Sequence, residues 1–299
     1  MKPIIKWAGG KTQLLPTFLN SLPSNVEQLT TYVEPFIGGG AFFLNLLENN
    51  FFDKYIINDI NSKLINLYIT IRDDVELLIM ALTEIKNTYT NLTDDEKKEM
   101  YYELRDKFNS DDIGKIDLAA SFIFLNKTCF NGLYRENSKG KFNVPIGSFK
   151  KTPDIFNADS LRYLSSKLNE KDINGNLKVT ILNKSFEQLE EFIDEQSFVY
   201  IDPPYRPITK GGFNAYDKSG FNDESQKVLA NYFAKLSKKG SYIMLSNSDP
   251  KNLNEQDEFF DELYKDFNIR RTFASRSINS KSTGRGKISE LLITNYNYD

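Results

Sequence analysis

The chain contains no histidine and a single cysteine, Cys129, and each absence removes a body of chemistry. Without histidine there is no imidazole to act as general base, and the usual zinc ligand sets cannot be assembled, so no metal is expected. One thiol closes no internal disulfide, as suits a reducing compartment. No apolar run approaches the roughly 20 residues needed to cross a bilayer. Met1 to Ala8 carries charge where a signal peptide would carry an apolar core, so a cytoplasmic protein and no membrane partner are expected. An excess of positive charge is missing too: the net charge is -3, and binding to a polyanion would have to rest on local patches.

Two such patches exist. Between Asn126 and Lys151, Lys127, Arg135, Lys139, Lys141, Lys150 and Lys151 stand against Glu136, a net of +5. Between Lys265 and Glu290, Lys265, Arg270, Arg271, Arg276, Lys281, Arg285 and Lys287 stand against Asp266 and Glu290, again +5. Taken alone, either run reads as a solvated face. The rest of the composition, 40% hydrophobic and 26% charged over 299 residues, is that of a globular chain with one large domain, or one domain carrying an inserted smaller one.

Lys6-Trp7-Ala8-Gly9-Gly10-Lys11 is a glycine turn leading into Leu14, Leu15, Phe18, Leu19 and Leu22 at helical spacing. Tyr32 to Phe36 reads as a strand, Gly38-Gly39-Gly40 as a turn, and Ala41 to Leu47 as a helix; Tyr55 to Asp59 is a second strand ending on an acid. The separation of Gly38 from Asp59 matches the ~20 residues between a dinucleotide-type glycine turn and a ribose-binding carboxylate. A phosphate loop at Gly10-Lys11-Thr12 is excluded, because position 5 holds Ile5 where a glycine is required. From about Asn61 to Leu125 the pattern is helical. Phe130 to Arg135 and Lys141 to Pro145, separated by Ser138-Lys139-Gly140, read as a hairpin. Strands at Val179 to Leu182, Phe198 to Ile201, Tyr242 to Ser246 and Leu291 to Thr294, with helices near Glu187 to Asp194 and Ser225 to Ser237, point to an α/β fold with a mostly parallel sheet. The expected division is residues 1-61 with 156-299 as one domain and 62-155 as an insertion.

Asp202-Pro203-Pro204-Tyr205 follows the apolar run Phe198 to Ile201, which puts it at the carboxyl end of a buried strand, where open α/β sheets bind ligands. A carboxylate beside a proline-fixed carbonyl suits an amino group conjugated to a ring. Such nitrogen is a poor nucleophile until both its N–H groups are accepted. Asp202 and the carbonyl of Pro203 supply two acceptors, and Tyr205 a stacking surface for a base taken out of its helix. The plain reading of the same tetrapeptide is a strand that two prolines end. Likewise the turn Phe36 to Gly40, with Asp59, reads alone as a packing turn, Trp7 as core and Lys11 as a solvated charge.

Lys6 to Lys11, Glu34 to Gly40, Asn58-Asp59, Asp202 to Tyr205 and Leu245-Ser246-Asn247, taken together and in that order, resemble DNA adenine methylases of the Dam type. The resemblance implies a Rossmann-like methyltransferase sheet, S-adenosylmethionine as cofactor, double-stranded DNA as partner, and 62-155 as a target recognition domain. It implies that Trp7, Lys11, Asp59 and Asp202 line the cofactor site, with Gly38 in its glycine turn and Phe36 and Phe186 beside it. Arg135 would read guanine, Leu133 and Pro145 would touch thymine methyl groups, Phe130 would sit beside the flipped base, and Asn131 would belong to the base-reading hairpin. Lys127, Asn137 and Asn143 match phosphate contacts, and Lys6 is also counted on the DNA side. The hairpin residues together imply the target GATC, and the loop Arg276 to Lys287 would wrap DNA. Ser185 and Phe149 depart from the family, standing where some relatives carry an acid and a tyrosine. A cytosine-N4 methyltransferase needs the same two acceptors, and a non-catalytic DNA-binding protein with a vestigial nucleotide fold is the reading from another class. Oligomeric state, and pairing with a restriction enzyme, are not legible.

Overall fold

The computed structural model describes residues 1–7, 9, 11–206, 221–275 and 287–298, apart from the side chains of 273–275, 287 and 288. Among the described residues the strands are β1 (Thr31–Glu34), β2 (Lys54–Asn58), β3 (Val179–Leu182), β4 (Ser197–Ile201), β5 (Tyr242–Ser248), β6 (Asn268–Ser275) and β7 (Lys287–Thr294). The fold is α/β with a mostly parallel, Rossmann-like sheet. The chain divides into two compact units. One comprises Met1–Gly10, Ile37–Phe51 and Asn58–Asn183, and the other Lys11–Phe36, Phe52–Ile57 and Lys184–Asp299.

Among its described residues the second unit holds strands in the order β2-β1-β4-β5-β7-β6. β1 pairs in parallel with β2 and with β4, and β4 pairs in parallel with β5. All residues of β1 and β4 are buried, as expected of parallel strands covered on both faces. Phe52 stacks on Phe198 at 6.0 Å, and Tyr32 closes on both. Helix Asp223–Lys238 begins where the Asn222 side chain accepts from Ser225 N–H, and it buries Leu229, Tyr232, Phe233 and Leu236. β7 then runs antiparallel to β5, and β6 antiparallel to β7.

The first unit is mainly helical. Ser62–Asp73 starts at Asn61, whose side chain accepts from Leu64 N–H, and Asp94–Phe108 starts with a Thr93/Glu96 capping box. Helix Lys115–Thr128 has no polar face through its middle: Ala119 to Asn126 are all buried. Such a helix must form the core of its neighbours, and Phe122 and Phe124 alone contribute ~1.5–3 kcal/mol each by burial. Among the described residues no strand lies between Asn58 and Val179, in keeping with the helical pattern of that stretch. The hairpin is present without continuous strands. Its arms meet through the antiparallel pairs Glu136↔Phe142 and Cys129↔Ile146. Phe130–Gly132 winds into a 3-10 turn with Asn131 at φ +56°, and this turn breaks the ladder that a regular strand there would need. Glu187 to Asp194, expected as a helix, is the shorter 3-10 element Phe186–Phe192.

Candidate active site

In the second unit, register decides what meets Asp202. β4 pairs Ile201 with Leu245, so the next residues along, Asp202 and Ser246, come together at the carboxyl ends of two parallel strands. Ser246 Oγ donates to Asp202 Oδ1 at 3.0 Å and accepts from the Tyr200 hydroxyl at 2.9 Å. Lys11 Nζ stands 3.3 Å from the same oxygen. Asp202 Oδ2 has no partner among the described residues, and the side chain is 20% exposed, so one carboxylate oxygen is anchored while the other keeps its acceptor capacity. Burial pushes the Asp202 carboxyl above its ordinary value; Lys11 and Ser246 pull it back, and Glu290 adds to the rise.

Lys11 is 4% exposed, which sets aside its reading as a solvated charge. A buried ammonium needs compensation, and here it has two carboxylates and a ring. Its Nζ donates to Glu290 Oε2 at 3.1 Å and lies 4.3 Å from the centroid of the Tyr205 ring. The Tyr205 hydroxyl in turn donates to Glu290 Oε2 at 3.3 Å.

The proline turn is braced from below. The Pro204 carbonyl accepts from Gln226 Nε2 at 3.2 Å, and Gln226 Oε1 accepts from Asn247 Nδ2 at 3.3 Å; both amides are fully buried. Arg206 fixes the exit of the turn, donating to Asp223 at 2.7 and 3.1 Å and to Asp257 at 2.8 Å. Phe36 lies against Phe186 at 5.4 Å and edge-on to Phe221 at 5.8 Å, a half-buried aromatic cluster in the same unit.

In the first unit, Asp59 takes the Gly38 N–H on Oδ2 at 3.1 Å and the Asn61 N–H on Oδ1 at 2.9 Å. Burial raises its carboxyl above the ordinary value in spite of these bonds. Gly38 sits at φ +45°, and a Cβ there would meet the Trp7 ring at 2.6 Å, so glycine is required by both backbone and neighbour. Gly38→Ala is therefore expected to destabilise the protein by about 1–3 kcal/mol, read as a lowered denaturant midpoint at constant slope. An unchanged midpoint would refute the close packing. Trp7 stacks on Tyr134 at 5.1 Å, and Tyr134 on Phe122 at 5.2 Å.

Most of the sequence-derived DNA residues lie on the hairpin. Phe130, Asn131, Leu133, Arg135, Asn137 and Pro145 are exposed and Asn143 is half-buried. Tyr101 Oη donates to the Val144 carbonyl at 2.8 Å, and Asn109 binds the Phe142 backbone in both directions, which pins the arm to the helices. Arg135 Nε donates to Asn143 Oδ1 at 2.8 Å, and the residue is exposed. Asn137 Oδ1 takes the N–H groups of Lys139 and Lys141 and so shapes the turn. Lys127 is half-buried on helix Lys115–Thr128, and burial together with Lys6 lowers its pKa. Lys6 closes the other side of the hairpin base: Asn126 Nδ2 donates to the carbonyls of Lys6 and Gly132.

The second basic patch is less free than its charge suggests. Arg271 pairs with Asp249 and Asp261, and Arg270 donates to the Tyr298 carbonyl. The loop from Arg276 to Arg285 lies outside the described residues. Glu290 and Gln226 belong to none of the sequence motifs, and Ser246 and Asn247 enter there only as part of Leu245-Ser246-Asn247, with no role attached. The polar pair Ser246-Asn247 closing an apolar strand was a usable signal, while Glu290 needed the antiparallel sense of β7, which sequence does not disclose.

Residues 7–278 match the family described as D12 class N6 adenine-specific DNA methyltransferase. The chain is 43% identical to the Type II methyltransferase M.MjaIII of Methanocaldococcus jannaschii over 99% of both chains. It is 38% identical to the Type II methyltransferase M1.LlaDCHI of Lactococcus lactis subsp. cremoris, over 99% of this chain and 96% of that one. With the DNA adenine methylase of Escherichia coli it shares 32% identity, over 97% of this chain and 94% of that one. No described helix is long and apolar enough to cross a membrane.

Proposed function

The chain belongs to the family of D12 class N6 adenine-specific DNA methyltransferases, and we propose that it moves the methyl group of S-adenosylmethionine onto N6 of the adenine in GATC, with that base extruded from duplex DNA. The observation that supports this chemistry is that Ser246 and Lys11 engage Asp202 through Oδ1, while Oδ2 has no partner among the described residues. Membership of an adenine-specific enzyme family leaves neither the cytosine-N4 nor the non-catalytic reading in place.

The residues fit the cofactor by charge and by acceptor count. Lys11 against Asp202 and Glu290 leaves the second unit's cluster negative, which suits a ligand whose sulfonium and ammonium outweigh its carboxylate. Asp59 accepts the N–H groups of Gly38, Asn61 and Ile60, and a carboxylate with about four lone-pair sites keeps capacity for a ribose hydroxyl. When bound, S-adenosylmethionine supplies an electrophilic methyl group. We assign Asp59, with Gly38 and Trp7, to its nucleoside end, Phe36 and Phe186 to flanking contacts, and Lys11 to its carboxylate.

Asp202 Oδ2 and the Pro203 carbonyl take the two N–H groups of the adenine amino group, drawing its lone pair out of the ring and towards the methyl group. Oδ2 then holds the proton that the nitrogen sheds, a task for which a carboxyl raised by burial is better suited than an exposed one. In a duplex that amino group is engaged in pairing, which is why the base must leave the stack. Lys11 covers one face of Tyr205, and the opposite face is the one assigned to the base. Residues 62-155 are assigned as the target recognition domain. Arg135 reads guanine, Leu133 and Pro145 the thymine methyls, Asn131 supports the turn, Phe130 fills the space of the extruded base, and Lys6, Lys127, Asn137 and Asn143 serve the phosphates.

The test is to incubate duplex DNA with the protein and S-adenosylmethionine, identify the modified nucleoside, and challenge the DNA with nucleases that differ in tolerance of methylated GATC. N6-methyladenine with protection confined to GATC is expected. N6-methyladenine in another sequence would overturn the site assignment, and N4-methylcytosine the chemistry.

A further inference from the structure

Glu290 belongs to no motif, yet it holds two members of the active cluster at once. β7 runs antiparallel to β5 and pairs Glu290 with Ser248, so a residue near the start of the last strand arrives at the carboxyl end of β5, beside the proline turn. There Glu290 Oε2 accepts from Lys11 Nζ at 3.1 Å and from the Tyr205 hydroxyl at 3.3 Å. Lys11 in turn stands 3.3 Å from Asp202 Oδ1. One lysine thus lies between two carboxylates, and the tyrosine that follows the proline turn is tied to the second of them.

We propose that Glu290 is a positioning residue of the methyl transfer: by fixing Lys11 and Tyr205 together it holds Asp202 with Oδ1 engaged and Oδ2 turned to the adenine amino group. The inference rests on the assignment of Asp202 as acceptor. Neither end of the tether is dispensable. Without Glu290 the lysine has only Asp202 to pair with and draws the carboxylate towards itself, while the Tyr205 ring loses its only recorded side-chain hydrogen bond among the described residues. The groups acting on Asp202 are Lys11, Ser246, Tyr200 and Glu290, and of these Glu290 is the like charge. Its removal therefore stabilises the ionised form of Asp202 while misplacing it.

The experiment compares full-length wild type, Glu290→Gln and Glu290→Asp in kcat, KM for GATC duplex and the acid limb of kcat, with carbon NMR titration of aspartate carboxyls in the free protein. Glu290→Gln is expected to lower kcat about ten- to a hundredfold, the cost of mispositioned reacting groups, with KM nearly unchanged. Activity needs ionised Asp202 and is lost as pH falls through its pKa, so removing a like charge moves the acid limb, and the Asp202 titration, to lower pH. Glu290→Asp, which keeps the charge on a shorter stem, should leave the limb in place and recover part of kcat. Wild-type kcat in Glu290→Gln overturns the proposal. So does a fall in kcat and melting temperature with neither acid limb nor titration displaced, which marks a structural role alone. Asp202→Ala run alongside separates the two claims: if it is inactive while Glu290→Gln behaves as wild type, only the positioning role falls, and if it is active, the acceptor role falls as well.

Discussion

Asp202→Ala is expected to lower kcat by at least 10²–10³-fold, the scale found when one preorganised hydrogen-bonding group is removed from a reacting centre. The affinity for duplex DNA should change by less than about threefold, because the phosphate contacts that dominate affinity lie elsewhere. Two physical effects add in the same direction. The amino group loses the acceptor that draws its lone pair out of the ring, and the proton shed at N6 loses its destination. The substitution also frees Lys11 from one of its two carboxylates, and Glu290 remains to satisfy it, so the fold should survive with little change in melting temperature. Single-turnover transfer of labelled methyl, alongside a binding titration, measures both quantities. Turnover within about tenfold of wild type would remove Asp202 from the role of acceptor.

Arg135→Ala is expected to cost about 1–3 kcal/mol of discrimination, or roughly 5- to 150-fold in preference for GATC over a site altered at one guanine. Arg135 Nε is held by Asn143 Oδ1 at 2.8 Å on an exposed arm, which pre-sets the plane of the guanidinium. Such a fork matches O6 and N7 of guanine, and a single cation on a flexible stem does not. The loss should therefore fall on cognate DNA, with scrambled duplex bound nearly as before. Competition titrations of the two sequences give the ratio. Equal losses on both would make Arg135 a phosphate contact. Asn143→Ala should show a weaker version of the same effect, since it loosens the fork without removing it.

Much of this was legible in the sequence for definite reasons. Parallel strands covered on both faces read as unbroken apolar runs, so β1, β2, β4 and β5 could be placed within a residue or two, and with β4 the position of Asp202 at a strand end. The helical insertion showed in its spacing of three and four. β6 did not show, because Asn268-Ile269-Arg270-Arg271 carries charge at an edge strand, where charge is tolerated, and it was counted only as part of a basic patch. Two of that patch's arginines turn out to be engaged inside their own unit, which charge counting cannot reveal. The site was legible where neighbours in sequence do the work, as in Asp202 to Tyr205. Gln226 reaches it from helix Asp223–Lys238, Asn247 through the register of β5, and Glu290 through the reversed direction of β7, and those are facts of tertiary packing.

The most direct measurement is a crystal structure of the full chain with a GATC duplex and a non-reactive analogue of S-adenosylmethionine. The proposed chemistry predicts the target adenine outside the helix against Tyr205, its N6 within about 2.7–3.2 Å of both Asp202 Oδ2 and the Pro203 carbonyl. An adenine still paired in the duplex, or Asp202 turned away into the protein with no acceptor at N6, would contradict it.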